Sequence, residues 1–281
     1  MTPKLTNLQS AIKSLVEPGM QVAIEGFTHL IPFAAAQEII RQGITGLTLI
    51  RLTPDVIYDQ MIGMGCANKL IFSWGGNPGV GSLHRLRDAV ENSWPTSLEL
   101  DERSHAAMCV AYTAGASGLP FGALRGFVGS DLPQYNDSIR FLDCPFTKEK
   151  LAVTSAIQPD VAIIHAQQAD RQGNVMLWGI VGVQKDIALA AKRVLVTVEE
   201  VVDKFAEKSN VTVLPSWTID TICEVPGGAS PSYANDYYQR DNSAYTEWDE
   251  ISRSREKFLE WMKHHVLETK SFVEFRERIL S

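Results

Sequence analysis

The stretch "PDVAIIHAQQADRQGNVMLWGIVGVQKDIALAAKRVLVTVEEVVD", Pro159 to Asp203, decides the fold. Its runs "DVAIIHA" (160–166) and "RVLVTV" (193–198) are apolar at nearly every position. A strand with one wet face would alternate, so these two read as strands covered on both faces. Between them "NVML" (174–177) is a third short strand, and "DRQGNV" (170–175) has the composition of a tight hairpin turn. Outward from this stretch the same texture recurs in "MQVAIE" (20–25), "LTLIRL" (47–52) and "KLIFSW" (69–74). "PFAAAQEIIRQG" (32–43) opens with a proline and closes with a glycine, and "SLHRLRDAVENS" (82–93) opens with a serine placed to cap; both predict helices. Apolar runs alternating with amphipathic stretches predict an α/β fold, with an open, mostly parallel or mixed sheet flanked by helices.

The chain has 281 residues, enough for one large core or two small ones, and is 45% apolar and 21% charged. Its net charge of −7 excludes a nucleic acid or an anionic membrane as the main partner, since either needs a basic field. No apolar run reaches 18 residues, and "MTPKLTNLQSAIKSLVEPGM" reads as a capped amphipathic helix rather than a signal peptide. A cytoplasmic location is expected. Cys66, Cys109, Cys144 and Cys223 are far apart with no C-x-x-C pair, so neither a zinc site nor a disulfide framework is expected and no metal is assigned. After about residue 225 the texture changes. Residues 1–225 read as an α/β domain, and 226–281 as a turn-rich linker and helical extension rich in aromatics, Tyr233, Tyr237, Tyr238, Tyr245, Trp248 and Trp261 among them. Such an extension folds onto its own core or onto a partner.

In α/β sheets ligands gather at the carboxyl ends of the strands, which directs the search to the turns that follow them. "SWGGNPGVGS" (73–82) holds four glycines, but their order is G-x-x-G-x-G, Pro78 removes a donor, and no Lys-Ser/Thr ending follows. It is therefore neither a dinucleotide fingerprint nor a P-loop. What remains is a strand–loop–helix junction whose helix-start N–H groups can face an anion or a thioester carbonyl. "EGFTHLIP" (25–32) places His29 in a second strand–helix turn. In "LELDERSHAAMC" (98–109), Asp101, Glu102, Ser104 and His105 lie together. No G-x-S-x-G elbow exists, so a serine hydrolase is not indicated; Asp101 or Ser104 caps a helix whose first turn projects His105. Glu199 and Glu200, ending a strand, read as solvated.

"PDVAIIHAQQADRQGNVMLWGIVGVQKDIALAAKRVLVTVEEVVD" (159–203), "AGASGLPFGALRGFVGSDL" (114–132) and "EVPGGASPSYA" (224–234) resemble the α (A) subunit of family I coenzyme A-transferases, in the glutaconate CoA-transferase-like branch. The similarity extends from "EPGMQVAIEGF" to the helical tail. The resemblance implies an enzyme component that works only with a β subunit, in an α2β2 or larger assembly. It implies transfer of CoA between an acyl-CoA and a carboxylic acid, with a coenzyme A thioester as substrate and no permanently bound cofactor. The nucleophile would be a β-subunit glutamate that passes through a mixed anhydride to a glutamyl-CoA thioester. Nothing here matches that glutamate's motif, because Glu91-Asn92-Ser93 lies in an amphipathic helix without the glycine. His105 occupies the place where many relatives carry a glutamine that binds the reacting acyl group, and is the expected catalytic residue. By the same resemblance Gly26, Phe27, His29, Gly75, Gly76, Asn77 and Glu102 are expected around the substrate. The alternative within this fold is hydrolysis of an acyl-CoA or of a cyclic acyl-CoA's ring, for which an imidazole base suits neutral pH. A ligand-sensing regulator would need a basic DNA-binding segment, which the sequence lacks.

Overall fold

A computed structural model describes residues 4–280. Met1 to Pro3, the start of the expected N-terminal helix pattern and of the 1–225 unit, lie outside the described residues, as does Ser281 at the end of the 226–281 unit.

In chain order the elements are β1 (Lys4–Leu5), α1 (Leu8–Leu15), β2 (Gln21–Glu25), α2 (Phe33–Arg41), β3 (Leu47–Ile50), α3 (Val56–Gly63), β4 (Ala67–Phe72), α4 (His84–Asn92), β5 (Glu99–Glu102) and α5 (His105–Ala116). There follow β6 (Phe121–Leu124), α6 (Leu132–Tyr135), β7 (Ile139–Asp143), β8 (Lys150–Ser155), β9 (Val161–Asp170), β10 (Val175–Trp178), α7 (Gln184–Ala190), β11 (Arg193–Val202), β12 (Val211–Leu214) and β13 (Thr221–Glu224). The tail adds α8 (Asn242–Arg253), α9 (Arg255–Trp261), a π-helical turn (Met262–Leu267) and α10 (Phe272–Leu280).

The main sheet runs β1-β13-β11-β9-β2-β3-β4-β5, and every neighbouring pair in that order is parallel. β10 and β12 attach as an antiparallel ribbon beside β9. The mixed sheet expected from the alternation is thus parallel at its centre, with its antiparallel part confined to the hairpin after Asp170. A second, three-stranded antiparallel sheet, β6-β8-β7, interrupts the alternation between α5 and β9.

β9 and β11 run ten residues each, longer than their apolar runs. Polar residues end those runs in sequence but continue the strands in space. Buried Gln167 donates to the Trp178 carbonyl and accepts from its N–H. Glu199, expected to be solvated, is buried and accepts from Tyr238 Oη at 2.6 Å and the Gly227 N–H at 2.7 Å, with His165 Nε2 at 2.7 Å. Burial raises the Glu199 pKa, but these hydrogen bonds and the His165 charge outweigh it and hold the carboxyl below its ordinary value.

Two apolar clusters cover the two faces of the sheet. One packs α1, α2 and α3 together with Tyr245, Trp248, Phe258, Met262 and Phe275 of the tail. The other packs α5 and α7 through Met108, Tyr112 and Ile187. The tail aromatics therefore lie on this chain's own core.

Candidate active site

The carboxyl ends of β2, β3, β4 and β5 lie side by side along one edge of the sheet, and the polar groups there form a connected set. α5 starts there because Ser104 leaves the helix in extended geometry and its hydroxyl accepts from the Ala107 N–H at 3.1 Å. Asp101 is not the cap. It is buried in a bidentate pair with Arg103 at 3.0 and 2.8 Å, and Asn136 and Ser138 also donate to it. Arg103 in turn donates to Thr154 Oγ1 and the Ser155 carbonyl, so the small β6–β8 sheet holds the 101–104 turn in place. From this turn Glu102 and His105 project as exposed side chains.

His105 Nδ1 lies 3.2 Å from Ser73 Oγ, and that hydroxyl lies 2.6 Å from the Leu52 carbonyl. A carbonyl only accepts, so Ser73 spends its proton on Leu52 and accepts from His105 Nδ1–H. Neutral His105 is therefore the Nδ1–H tautomer, and Nε2, on an exposed side chain, keeps its lone pair. The proximity of Ser73 to His105 could not be read from sequence, because it depends on β4 and β5 being neighbours.

His29 is placed differently. It is fully buried, its Nδ1–H donates to the Ile180 carbonyl at 3.1 Å, and its Nε2 accepts from the Asn235 N–H at 2.9 Å. Burial pushes its pKa down, and both nitrogens are spent within the protein. It clamps a strained turn: Thr28 and Leu30 have φ of 59° and 52°, conformations that cost about 1–3 kcal/mol each in a non-glycine residue. A Cβ on Gly26 would lie 2.6 Å from the Leu30 carbonyl oxygen, so glycine is required there by the turn's own backbone. Phe27 is half-buried and packs against the second apolar cluster.

The glycine loop turns away from His105 after Ser73. Asn77 is buried and donates to the Tyr245 carbonyl at 2.7 Å, and the Pro78 carbonyl accepts from Arg240 at 2.7 Å. Gly76 is buried with the Trp74 ring over it, where a Cβ would come within 2.6 Å, and Gly75 packs on Leu86. The anion expected at the start of the following helix is supplied by the protein. Buried Asp59 accepts from the Arg85 and Leu86 N–H groups at 2.9 Å each, and Ser82 does not cap: Leu83 holds that position without a side-chain bond. Glu91 is exposed in an ion pair with Arg87, as a surface helix residue should be. Cys66 and Cys223 are buried thiols and Cys109 and Cys144 are half-buried; all four are free. Among the described residues no group of three His, Cys, Asp or Glu side chains is placed to hold a metal, and no helix is long and apolar enough to cross a membrane.

The fold places a histidine of fixed tautomer on an exposed turn at the carboxyl edge of a parallel α/β sheet. The coenzyme A transferase family model matches residues 5–225. The chain is 58% identical to the A subunit of the 3-oxoadipate CoA-transferase of Pseudomonas knackmussii, over 98% of both chains. It is 32% identical to the A subunit of the glutaconate CoA-transferase of Acidaminococcus fermentans, covering 98% of this chain and 92% of that one. The crystal structure of glutaconate CoA-transferase from that organism superposes with a TM-score of 0.92 at 31% identity, over 98% of this chain and 92% of that one. The chain belongs to the coenzyme A transferase family, as the A subunit of a heteromeric CoA-transferase acting on CoA thioesters. A cholesterol ring-cleaving hydrolase subunit of Rhodococcus jostii stands further off, at 25% identity over 92% of this chain and 90% of the other.

Proposed function

We propose that this subunit binds the acyl end of a CoA thioester beside His105, and that the β subunit supplies the glutamate that reacts with it. The observation that carries this is the exposed His105 ring, fixed in tautomer by Ser73, while the buried Glu25 carboxylate is committed to internal hydrogen bonds. In the reaction the partner's carboxylate attacks the thioester carbonyl and expels CoA thiolate, leaving a mixed anhydride. The thiolate then attacks the glutamyl carbonyl, releasing the first acid and leaving a glutamyl-CoA thioester that the second acid resolves by the same steps in reverse. Each addition builds negative charge on an acyl oxygen. His105, once protonated at Nε2, donates to that oxygen, the kind of contact whose loss costs about 3–4 kcal/mol. Glu102, exposed on the same turn as His105, belongs to that acyl site, whereas His29 and Asn77 are spent on contacts within the chain.

The acceptor follows from the Pseudomonas knackmussii relative, whose name gives 3-oxoadipate, a six-carbon oxo dicarboxylic acid. We assign this chain the same substrate class, in a cytoplasmic α2β2 or larger assembly with no resident cofactor. The 5–225 span of the family match supports residues 1–225 as the transferase domain and 226–281 as an extension packed on it. The test is CoA exchange in the assembled complex. Formation of 3-oxoadipyl-CoA that depends on free 3-oxoadipate supports the reading. Release of free CoA without any acceptor acid would instead assign hydrolysis.

A further inference from the structure

Glu25 ends β2, and nothing in the reaction above uses it. It is 1% exposed, yet it holds no guanidinium at hydrogen-bond distance. Arg51, the nearest cation, is bidentate on Asp55 at 2.9 and 3.2 Å and gives its remaining contact to the Gly26 carbonyl. Glu25 Oε1 instead accepts from the Leu52 N–H at 2.8 Å and from Tyr112 Oη at 2.6 Å. Both donors sit on residues tied to His105, one through its carbonyl and the other through α5. The Leu52 carbonyl holds the Ser73 hydroxyl on which His105 leans, and Tyr112 lies on the face of α5 seven residues beyond His105.

We propose that Glu25 is a positioning residue for His105, acting through the Leu52 peptide and through Tyr112. This rests on the assignment of His105 as the group that meets the acyl oxygen. When Glu25 is ionised, its bond to the Leu52 N–H becomes charge-assisted and holds that stretch of backbone more firmly. The Leu52 carbonyl, in the next peptide unit, is thereby fixed in place, and with it the Ser73 hydroxyl against which the His105 ring is set. The carboxyl titrates where an enzyme works: burial, only partly opposed by Arg51, Tyr112 and the Leu52 N–H, pushes its pKa up to about 7. The charged and titratable groups around it are Arg51 and Asp55 beyond β3, Tyr58 of α3, and Tyr112 and Cys109 of α5. A buried carboxyl of this kind costs stability that an amide would not. Its folded pKa is above the unfolded value, so stability falls as pH rises from about 4 to about 7 and is lowest above that. Such costs concentrate at working sites.

Three variants, assayed as the complex with the β subunit, test this. Glu25→Ala is expected to lower kcat by roughly tenfold to a hundredfold, the scale of a misplaced reacting group, with KM changed less. Glu25→Gln keeps an acceptor for both donors, so it is expected to recover most of that loss while removing the ascending limb near pH 7 from the pH–rate profile. It should also raise the thermal midpoint at pH 8 more than at pH 5. His105→Ala separates the two claims. If it lowers turnover while both Glu25 variants keep the parental kcat and pH profile, the role of Glu25 is overturned and that of His105 stands. If His105→Ala has no effect, the underlying assignment fails whatever Glu25 does.

Discussion

At the scale of single residues, the chemistry proposed for this subunit rests on one hydrogen-bond direction. Ser73 Oγ, 2.6 Å from a carbonyl and 3.2 Å from His105 Nδ1, can satisfy both only by donating to the first and accepting from the second. Two substitutions probe this, both read as turnover in the assembled complex. His105→Ala is expected to lower kcat by about 10²-fold or more, and parental turnover in a normally assembled complex would return His105 to a surface role. Ser73→Ala removes both hydrogen bonds of that hydroxyl and the constraint on the tautomer while leaving the imidazole in place, so a smaller loss of about three- to tenfold follows. A Ser73 effect as large as that of His105 would mean that the serine itself meets the substrate. His105 and Glu102 stood out in the sequence as part of a short polar cluster preceding a helical run, and only the family resemblance gave them a place at the substrate. Glu25 and Ser73 were not. Each is a single polar residue at the end of an apolar strand, and only the parallel order β2-β3-β4-β5 brings them behind one histidine.

At the scale of elements, the difference between expectation and structure lies in what the polar residues are for. The strands of the 159–203 stretch were legible because parallel strands covered on both faces must be apolar. Their ends were not, since Gln167, Glu199 and Glu200 look like turn or surface residues until Trp178, Tyr238 and Tyr237 are seen to meet them. Likewise the glycine loop was legible as bare backbone but not as a clamp. Asn77 and Pro78 bind the tail, and Asp59 fills the helix start that a ligand anion would need. The tail is fastened by a further contact with a pH signature. Arg255 of α9 donates to both oxygens of Asp88 on α4 at 2.7 Å. Chiefly through those bonds, with Asn92 and Arg85 adding to them, the Asp88 carboxyl is held down at about 2. A depressed carboxyl stabilises the fold above its unfolded value near 3.9 and loses that contribution as pH falls from about 4 to about 2. Arg255 lies partly open to solvent, so water screens the pair and the contribution is small. Arg255→Ala should therefore lower the thermal midpoint at pH 7 and reduce its decline between pH 4 and pH 2. An unchanged acid limb would show that other carboxylates govern it.

At the scale of the whole molecule, the α/β class and the family resemblance were both legible in the sequence, because the motifs that carry the resemblance run from β2 to the tail. The β6–β8 sheet was not, since its strands are short and their outward faces carry Phe121, Phe141 and other large apolar side chains without clean alternation. Its place in the molecule is nonetheless specific: through Arg103 and Asp101 it fixes the turn from which His105 projects. The chain thus builds a rigid setting for the proposed acyl site, and its buried Glu25 and surface Glu91 are both committed elsewhere. The central claim is that the reacting carboxylate comes from the other subunit. It is tested most directly by incubating the assembled complex with acyl-CoA, without acceptor acid, and weighing each intact chain by mass spectrometry. The account predicts an unmodified mass for this chain and a CoA adduct on the β subunit. An adduct on this chain, with the β subunit unmodified, would contradict it.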